Sequence, residues 1–468
     1  MKRLIVPIAF YTACSGQAQV LISDSLLESY TIAELAAQGI SGADNDIETY
    51  RVIYHTVDPF GAPTIASAAV SLPVNTSCVH AMAAYMHGTI LNREDVPSRL
   101  NDEIVVANYL SAFRYVAVLP DYLGLGDSPG PHPYMHAASE ATAGRDALRA
   151  ARELCALKGV DLNGQVFLTG YSQGGHACMA THKLLEEEHS DEFTVTAAAP
   201  CSGPYDASGV QAGVIIADQP YPAPYYLPYV LLSYGYVYPW LYDEVSEVMI
   251  EPYATQLPPL FQGNNGSGMV DDIMPAIPNQ ILVPSMLQAF INEPDHPFRE
   301  ALRDNDLYDW TPQARLRMFY CDADGHVFYQ NSIVTRDTML ANGAADVQAI
   351  NAGLGLDHGG CAFPALLMAK GVFDALQWDC SGIGVPEQPH ADWTIAPNPA
   401  HDRVRFTSAH LAPGPIVWRL LSSDGRFCAS GTSSDAEVVF GQRSSGVYII
   451  ELTTNGTTDR MPLLIAQP

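Results

Sequence analysis

Two textures of hydrophobic patterning divide the chain. From about residue 24 to residue 380, short apolar runs alternate with longer stretches of helical character. Residues 79–86, 115–119, 165–169, 194–199, 315–320 and 347–350 read as buried strands. Residues 137–157, rich in Ala, Leu and Arg, and residues 173–189 read as helices. Strands alternating with helices predict an α/β domain with a mostly parallel sheet covered on both faces. Between about 202 and 304 the alternation stops. That stretch is rich in Pro and Tyr, as in Tyr221-Pro222-Ala223-Pro224-Tyr225-Tyr226-Leu227-Pro228-Tyr229. It is too long for a plain loop and lies between two sheet strands, so a cap or lid is expected, with an ordinary helical insertion as the simpler reading. After residue 380 the second texture begins. Residues 381–392 are Gly/Pro-rich and read as a linker. Over 393–468 the segments 404–407, 416–421, 436–440 and 447–452 are short and alternating, which predicts a small antiparallel, sandwich-like β domain.

Composition narrows the functional classes. A chain of 468 residues is longer than one core usually supports, in keeping with more than one domain. Its 23 basic residues against 51 acidic ones exclude a surface built to bind nucleic-acid phosphates. The acidity fits a well-solvated surface, or a salt-rich habitat. Lys2 and Arg3, the apolar residues 4–11 and Gly16-Gln17-Ala18 read as an export signal over residues 1–18. A lipoprotein signal would use Cys14, but Tyr11-Thr12-Ala13 fits that pattern poorly. No later run reaches the roughly twenty apolar residues of a membrane span, so no transmembrane anchor is expected in the mature protein. Outside the cytoplasm the eight cysteines beyond Cys14 are free to form disulfides. Their spacing fits no metal motif. Cys361 and Cys380 are a candidate pair, and several others are as well explained as buried thiols.

The chemistry concentrates in Gly170-Tyr171-Ser172-Gln173-Gly174-Gly175. A G-x-S-x-G sequence between a strand and a helix is the pattern of a nucleophile elbow, a tight turn that pushes a serine hydroxyl out above a sheet. A serine hydroxyl needs a base within reach, and the base needs a carboxylate to orient it. On this fold those partners follow the serine in the order acid, then His. The strand 315–320 runs into Cys321-Asp322-Ala323-Asp324-Gly325-His326-Val327. Asp324 is the expected acid because Val327 stands three residues after it, and Asp322 is the alternative. His358, beside Gly359 and Gly360 after the last strand, is the expected base. His176 lies on the helix behind the serine and His326 follows the acid. His132, His136, His189 and His296 are expected at solvent-exposed positions. The oxyanion hole needs two preorganised N–H donors. Gln173 should supply one, and Thr89 or Gly88 the other, from the loop ending the strand that carries Tyr85-Met86-His87-Gly88-Thr89. Asp121, in Pro120-Asp121-Tyr122-Leu123-Gly124, precedes the serine and reads as structural. No metal or organic cofactor is implied.

The elbow, the Pro120-Asp121-Tyr122 loop, Trp310-Thr311-Pro312 and the Asp324 and His358 contexts resemble the secretory lipase family of α/β-hydrolases. The resemblance spans about residues 24–380. It implies hydrolysis of carboxylic esters, including lipids, through an acyl-enzyme under a cap. The Tyr/Pro-rich cap departs from the best-known members. Residues 393–468 resemble the C-terminal sorting domain of the bacterial type IX secretion system, on Ala396-Pro397-Asn398-Pro399-Ala400, Asp424-Gly425-Arg426 and Ser445-Gly446-Val447-Tyr448. That implies the type IX machinery as a partner and a secreted or cell-surface location in a Bacteroidetes-type bacterium. Two other functions fit the same residues: a peptidase or other acyl hydrolase on this fold, and a non-catalytic surface binding protein.

Overall fold

The computed structural model describes residues 19–74, 78–378, 394–407, 415–422, 427–454 and 457–466. The expected signal at 1–18, the linker at 381–392, Cys380 and Asp424-Gly425-Arg426 lie outside the described residues. The chain divides between Leu366 and Leu367 into two compact units.

The first unit is built on nine strands: β1 (Leu21–Tyr30), β2 (Asp46–Val57), β3 (Pro63–Val74), β4 (His80–Met86), β5 (Tyr115–Pro120), β6 (Leu162–Tyr171), β7 (Thr194–Cys201), β8 (Arg315–Cys321) and β9 (Val347–Gly353). Their order across the sheet is β1-β2-β3-β5-β4-β6-β7-β8-β9. The pairs from β5 through β9 are parallel, and β1, β2 and β3 add antiparallel strands at one side. Every residue of β4 and β5 is buried, which is why those strands read as continuous apolar runs. β1, β2 and β3 escaped the sequence reading: β3 is largely buried but broken by Ser67 and Ser71, while β1 and β2 lack a continuous apolar run. β1 leaves most positions exposed or half-exposed and carries Asp24 and Glu28, while β2 alternates buried and half-buried positions.

Helix Ala137–Lys158 packs alanines and leucines against the sheet, with Ala147, Ala151 and Leu154 fully buried. Helix Gln173–Glu188 follows β6 directly and buries Ala177, Cys178 and Met179. Between β7 and β8 runs a mostly helical insertion whose longer helices are Tyr226–Val237, Pro284–Asn292 and Pro297–Arg303. It has its own apolar core, including Leu231, Tyr234, Met249, Phe261, Ile281 and Phe290. Tyrosines tie it to loops of the sheet. Tyr229 Oη donates to the Ile90 carbonyl at 2.9 Å, and Tyr234 Oη to the Met135 carbonyl at 3.1 Å.

The second unit contains two antiparallel sheets. One has the order β10 (Thr394–Ala396), β11 (Arg403–Thr407), β14 (Glu437–Val439). The other has the order β13 (Phe427–Ser433), β12 (Ile416–Ser422), β15 (Gly446–Thr454), β16 (Thr457–Ile465). Val404, Phe406, Trp418, Leu420, Ile450 and Leu463 join them in one core. Asn398 Oδ1 accepts the Leu464 N–H at 2.9 Å, fastening the Pro-Asn-Pro segment to the last strand.

Candidate active site

Ser172 sits where β6 meets its helix, with φ 61° and ψ −121°. A non-glycine residue rarely holds a positive φ, and such strain concentrates at functional sites. Its neighbours explain how the turn is tolerated. A Cβ on Gly174 would overlap the Met86 carbonyl oxygen, and a Cβ on Gly170 the Gly174 carbonyl. Both glycines are therefore demanded by the close approach of helix, β4 and β6.

Ser172, Asp324 and His358 are brought together although the serine and histidine lie 186 positions apart. His358 Nε2 is 2.9 Å from Ser172 Oγ, and His358 Nδ1 is 2.7 Å from Asp324 Oδ2. The other oxygen, Asp324 Oδ1, accepts the backbone N–H groups of His326 and Val327, each at 2.9 Å. The carboxylate is thus pinned on one side and free to orient the imidazole on the other. Asp322 does not enter this chain of contacts. It accepts the Gly355 N–H at 2.7 Å and its residue is exposed. Tyr171 Oη donates to the His358 carbonyl, so the residue before the serine also holds the histidine's backbone.

The two loops carrying Asp324 and His358 are joined by a disulfide between Cys321 and Cys361. This corrects the expected Cys361–Cys380 pairing. The end of β8 and the first turn of helix His358–Asp374 lie side by side, which places Cys321 against Cys361. Cys78 is also disulfide-bonded, and Cys155, Cys178 and Cys201 are buried free thiols.

Gln173 opens its helix, and the first N–H groups of a helix have no partner within it. Gly88 faces the elbow: a methyl group there would lie 4.0 Å from Ser172 Cβ and 3.7 Å from the Tyr171 carbonyl. The loop is braced from behind. Tyr122 Oη donates to the His87 carbonyl at 3.0 Å, and His87 Nε2 lies 3.2 Å from the Asp121 carbonyl. Asp121 itself is buried, accepts from Ser67 Oγ at 2.5 Å and from the Ser98 N–H at 3.0 Å, and stands apart from the serine's partners. Thr89 Oγ1 is 3.0 Å from Tyr134 Oη.

Two histidines depart from expectation. His132 and His136 are buried, not solvent-exposed. His132 Nδ1 donates to the Leu123 carbonyl at 2.8 Å, leaving Nε2 to accept from Gln173 Nε2 at 2.9 Å. Burial pushes its pKa down to about 3, so the ring is neutral. His176 is fully buried, with Nδ1 2.6 Å from Glu140 Oε2 and Nε2 2.9 Å from the Asn305 carbonyl. Both partners are acceptors, so both nitrogens carry hydrogen. Burial alone would lower its pKa, but the Glu140 carboxylate outweighs burial and raises it. Gln173 Nε2 also donates to Glu140 Oε1 at 3.0 Å, which places this buried ion pair directly behind the elbow. His326 stacks on His358 with ring centres 4.7 Å apart and planes 10° apart. Its burial and the neighbouring His358 lower its pKa.

A cavity of about 100 Å³ opens beside Ser172 and Gln173. The insertion supplies most of its wall, including Ile215, Tyr226, Leu227, Val230, Met286 and Phe290. No charged residue lines it. The volume is several times what one buried water needs.

A model of the secretory lipase family matches residues 98–202, a segment that holds the elbow. Among solved structures, the rice cell wall degrading esterase LipA from Xanthomonas oryzae superposes with a TM-score of 0.69 in its ligand-bound form. The two are 28% identical over 76% of this chain and 98% of that one. The chain has the α/β-hydrolase fold. A protein of Legionella pneumophila gives this α/β-hydrolase a TM-score of 0.70 at 28% identity, again over 76% of this chain and 98% of that one. Candida antarctica lipase A in its closed state, 15% identical with a TM-score of 0.58 over 77% of this chain and 83% of that one, shares the fold. No curated protein matches the chain in sequence.

Proposed function

We propose that this α/β-hydrolase cleaves carboxylic esters through an acyl-serine. The observation that carries the reading is the single imidazole that reaches both Ser172 Oγ and Asp324. His358 Nε2 takes the hydroxyl proton as Oγ attacks the ester carbonyl carbon, and the π electrons move onto the carbonyl oxygen. Asp324 holds the Nδ1–H tautomer and stabilises the imidazolium. The Gln173 N–H and the Gly88/Thr89 amide receive the oxyanion. The tetrahedral intermediate then expels the alcohol, which takes the proton from His358. Water, activated by the same histidine, releases the acid and restores the serine.

The uncharged cavity beside the serine supports an apolar acyl group as the part of the substrate it holds. A profile of p-nitrophenyl esters from acetate to palmitate, with peptide p-nitroanilides alongside, tests the reading. Ester turnover with a preference for medium acyl chains is expected. Turnover of anilides alone would replace the esterase reading with a peptidase.

Secretion belongs to the same proposal. Residues 1–18 act as the export signal and residues 393–468 as a type IX sorting domain, which places the enzyme outside the cell or on the surface of a Bacteroidetes-type bacterium. Among the described residues no helix is long and apolar enough to cross a membrane.

A further inference from the structure

Behind the elbow lies a run of buried polar side chains that Ser172, Asp324 and His358 do not use. Gln173 and Glu140 are each 1% exposed. The Gln173 NH2 group gives both hydrogens to acceptors, one to Glu140 Oε1 at 3.0 Å and one to His132 Nε2 at 2.9 Å. Its Oε1 is buried and has no donor among the described residues. Turning the amide over would not pair that oxygen, because it would then face the Glu140 carboxylate and a ring nitrogen that carries no hydrogen. Leaving a buried oxygen unpaired is costly, so the side chain's orientation is set by its two anchors and not by its own oxygen.

Glu140 is itself held. Its second oxygen, Oε2, is 2.6 Å from His176 Nδ1. It stands in the first turn of helix Ala137–Lys158, whose Ala137 N–H donates to Asn305 Oδ1 at 2.7 Å. The Asn305 carbonyl lies 2.9 Å from His176 Nε2. Glu140, His176 and Asn305 thus close a ring of contacts at the start of that helix. Gln173 follows a serine of positive φ and opens its own helix, where its backbone N–H has no helical partner. In the esterase reading that N–H is an oxyanion donor, and a side chain anchored at two points fixes where it sits.

We propose that Glu140 is a positioning residue for ester cleavage: acting through the Gln173 side chain, it holds the Gln173 backbone N–H where the oxyanion forms. The inference rests on the esterase reading. Glu140 gives and takes no proton in the cycle. It keeps a donor in place before charge develops on the carbonyl oxygen, and a misplacement of about 1 Å in such a group costs up to about 100-fold in rate.

The test is a double-mutant cycle in the full chain with Gln173→Met, which removes the NH2 group and keeps the backbone N–H, and Glu140→Met, which removes the acceptor. With p-nitrophenyl butyrate each variant should lower kcat about 10-fold while KM changes by less than about 2-fold. The pair together should also lose about 10-fold and not about 100-fold, because both changes break one link. The inhibition constant of a trifluoromethyl ketone, which forms a tetrahedral oxyanion on the serine, should rise by the same factor as kcat/KM falls. Assays run below the lowest of the melting transitions, and if Glu140→Met does not fold, Glu140→Asp, which draws the oxygen back but keeps the charge, replaces it in the cycle. Losses that multiply, a change confined to KM, or either single variant with kcat within about 2-fold of wild type overturns the role of Glu140 and leaves the esterase reading intact. Wild-type protein inert toward the whole ester series refutes the esterase reading, and the inference with it.

Discussion

At the scale of single residues, the site depends on what each carboxylate oxygen faces. Asp324 Oδ1 is occupied by two backbone N–H groups, so only Oδ2 is left for His358. An Asn at this position would keep its oxygen on those N–H groups and turn its NH2 toward Nδ1. The imidazole would then carry its hydrogen on Nε2 and could not take the serine's proton. Asp324→Asn should therefore lower kcat by about 10⁴-fold with thermal stability nearly unchanged, checked by ester kinetics and a melting curve. Ser172, Asp324 and His358 were legible in the sequence because each stands at a strand end with a distinctive local pattern. His132 and His136 were misjudged because polar surroundings in sequence do not reveal that the insertion covers them.

At the scale of elements, two links hold the site's parts in register. The Cys321–Cys361 bridge fastens the loop that carries Asp324 to the helix that begins at His358, across a sequence separation of 40. A loop of that length corresponds to about 4 kcal/mol in the chain-entropy view, so a Cys321→Ser/Cys361→Ser double variant should lose about 2–4 kcal/mol, read by urea denaturation. Its kcat should fall more than its KM changes, since the substrate pocket is untouched. The second link is the Glu140–His176 pair between helices Ala137–Lys158 and Gln173–Glu188. Removing one partner of a buried ion pair costs about 3 kcal/mol, so Glu140→Gln should destabilise by that order. The sign of its pH dependence follows from the raised pKa of His176. Stability from this group is fully present below the ordinary histidine pKa and is lost as pH rises through the folded value. The gap between wild type and Glu140→Gln should thus narrow as pH rises above the ordinary histidine range. The parallel strands and both helices were visible as buried runs and alanine-rich stretches. The antiparallel strands β1, β2 and β3 and the Cys321 pairing were not, since β1 and β2 lack a continuous apolar run, Ser67 and Ser71 interrupt β3, and pairing is set by tertiary contact.

At the scale of the whole molecule, the chain divides into a hydrolase unit and a compact β unit with its own core. The texture change after residue 380 announced the second unit, and the strands over 403–407, 416–422 and 446–454 were expected almost as they occur. The strands Phe427–Ser433 and Thr457–Ile465 were not, because small and polar residues such as Ser430, Gly431, Thr457 and Thr458 dilute their alternation. If the β unit serves sorting alone, a chain ending at residue 392 should keep kcat/KM on p-nitrophenyl butyrate within about 2-fold of the full chain while losing export in a type IX-competent host. The most direct test of the central claim is covalent. Incubated with a fluorophosphonate, the full-length protein should gain one adduct by intact mass, mapped by peptide mass spectrometry to Ser172, with ester hydrolysis lost in proportion. Absence of the adduct, or an adduct elsewhere with hydrolysis intact in Ser172→Ala, would contradict the account.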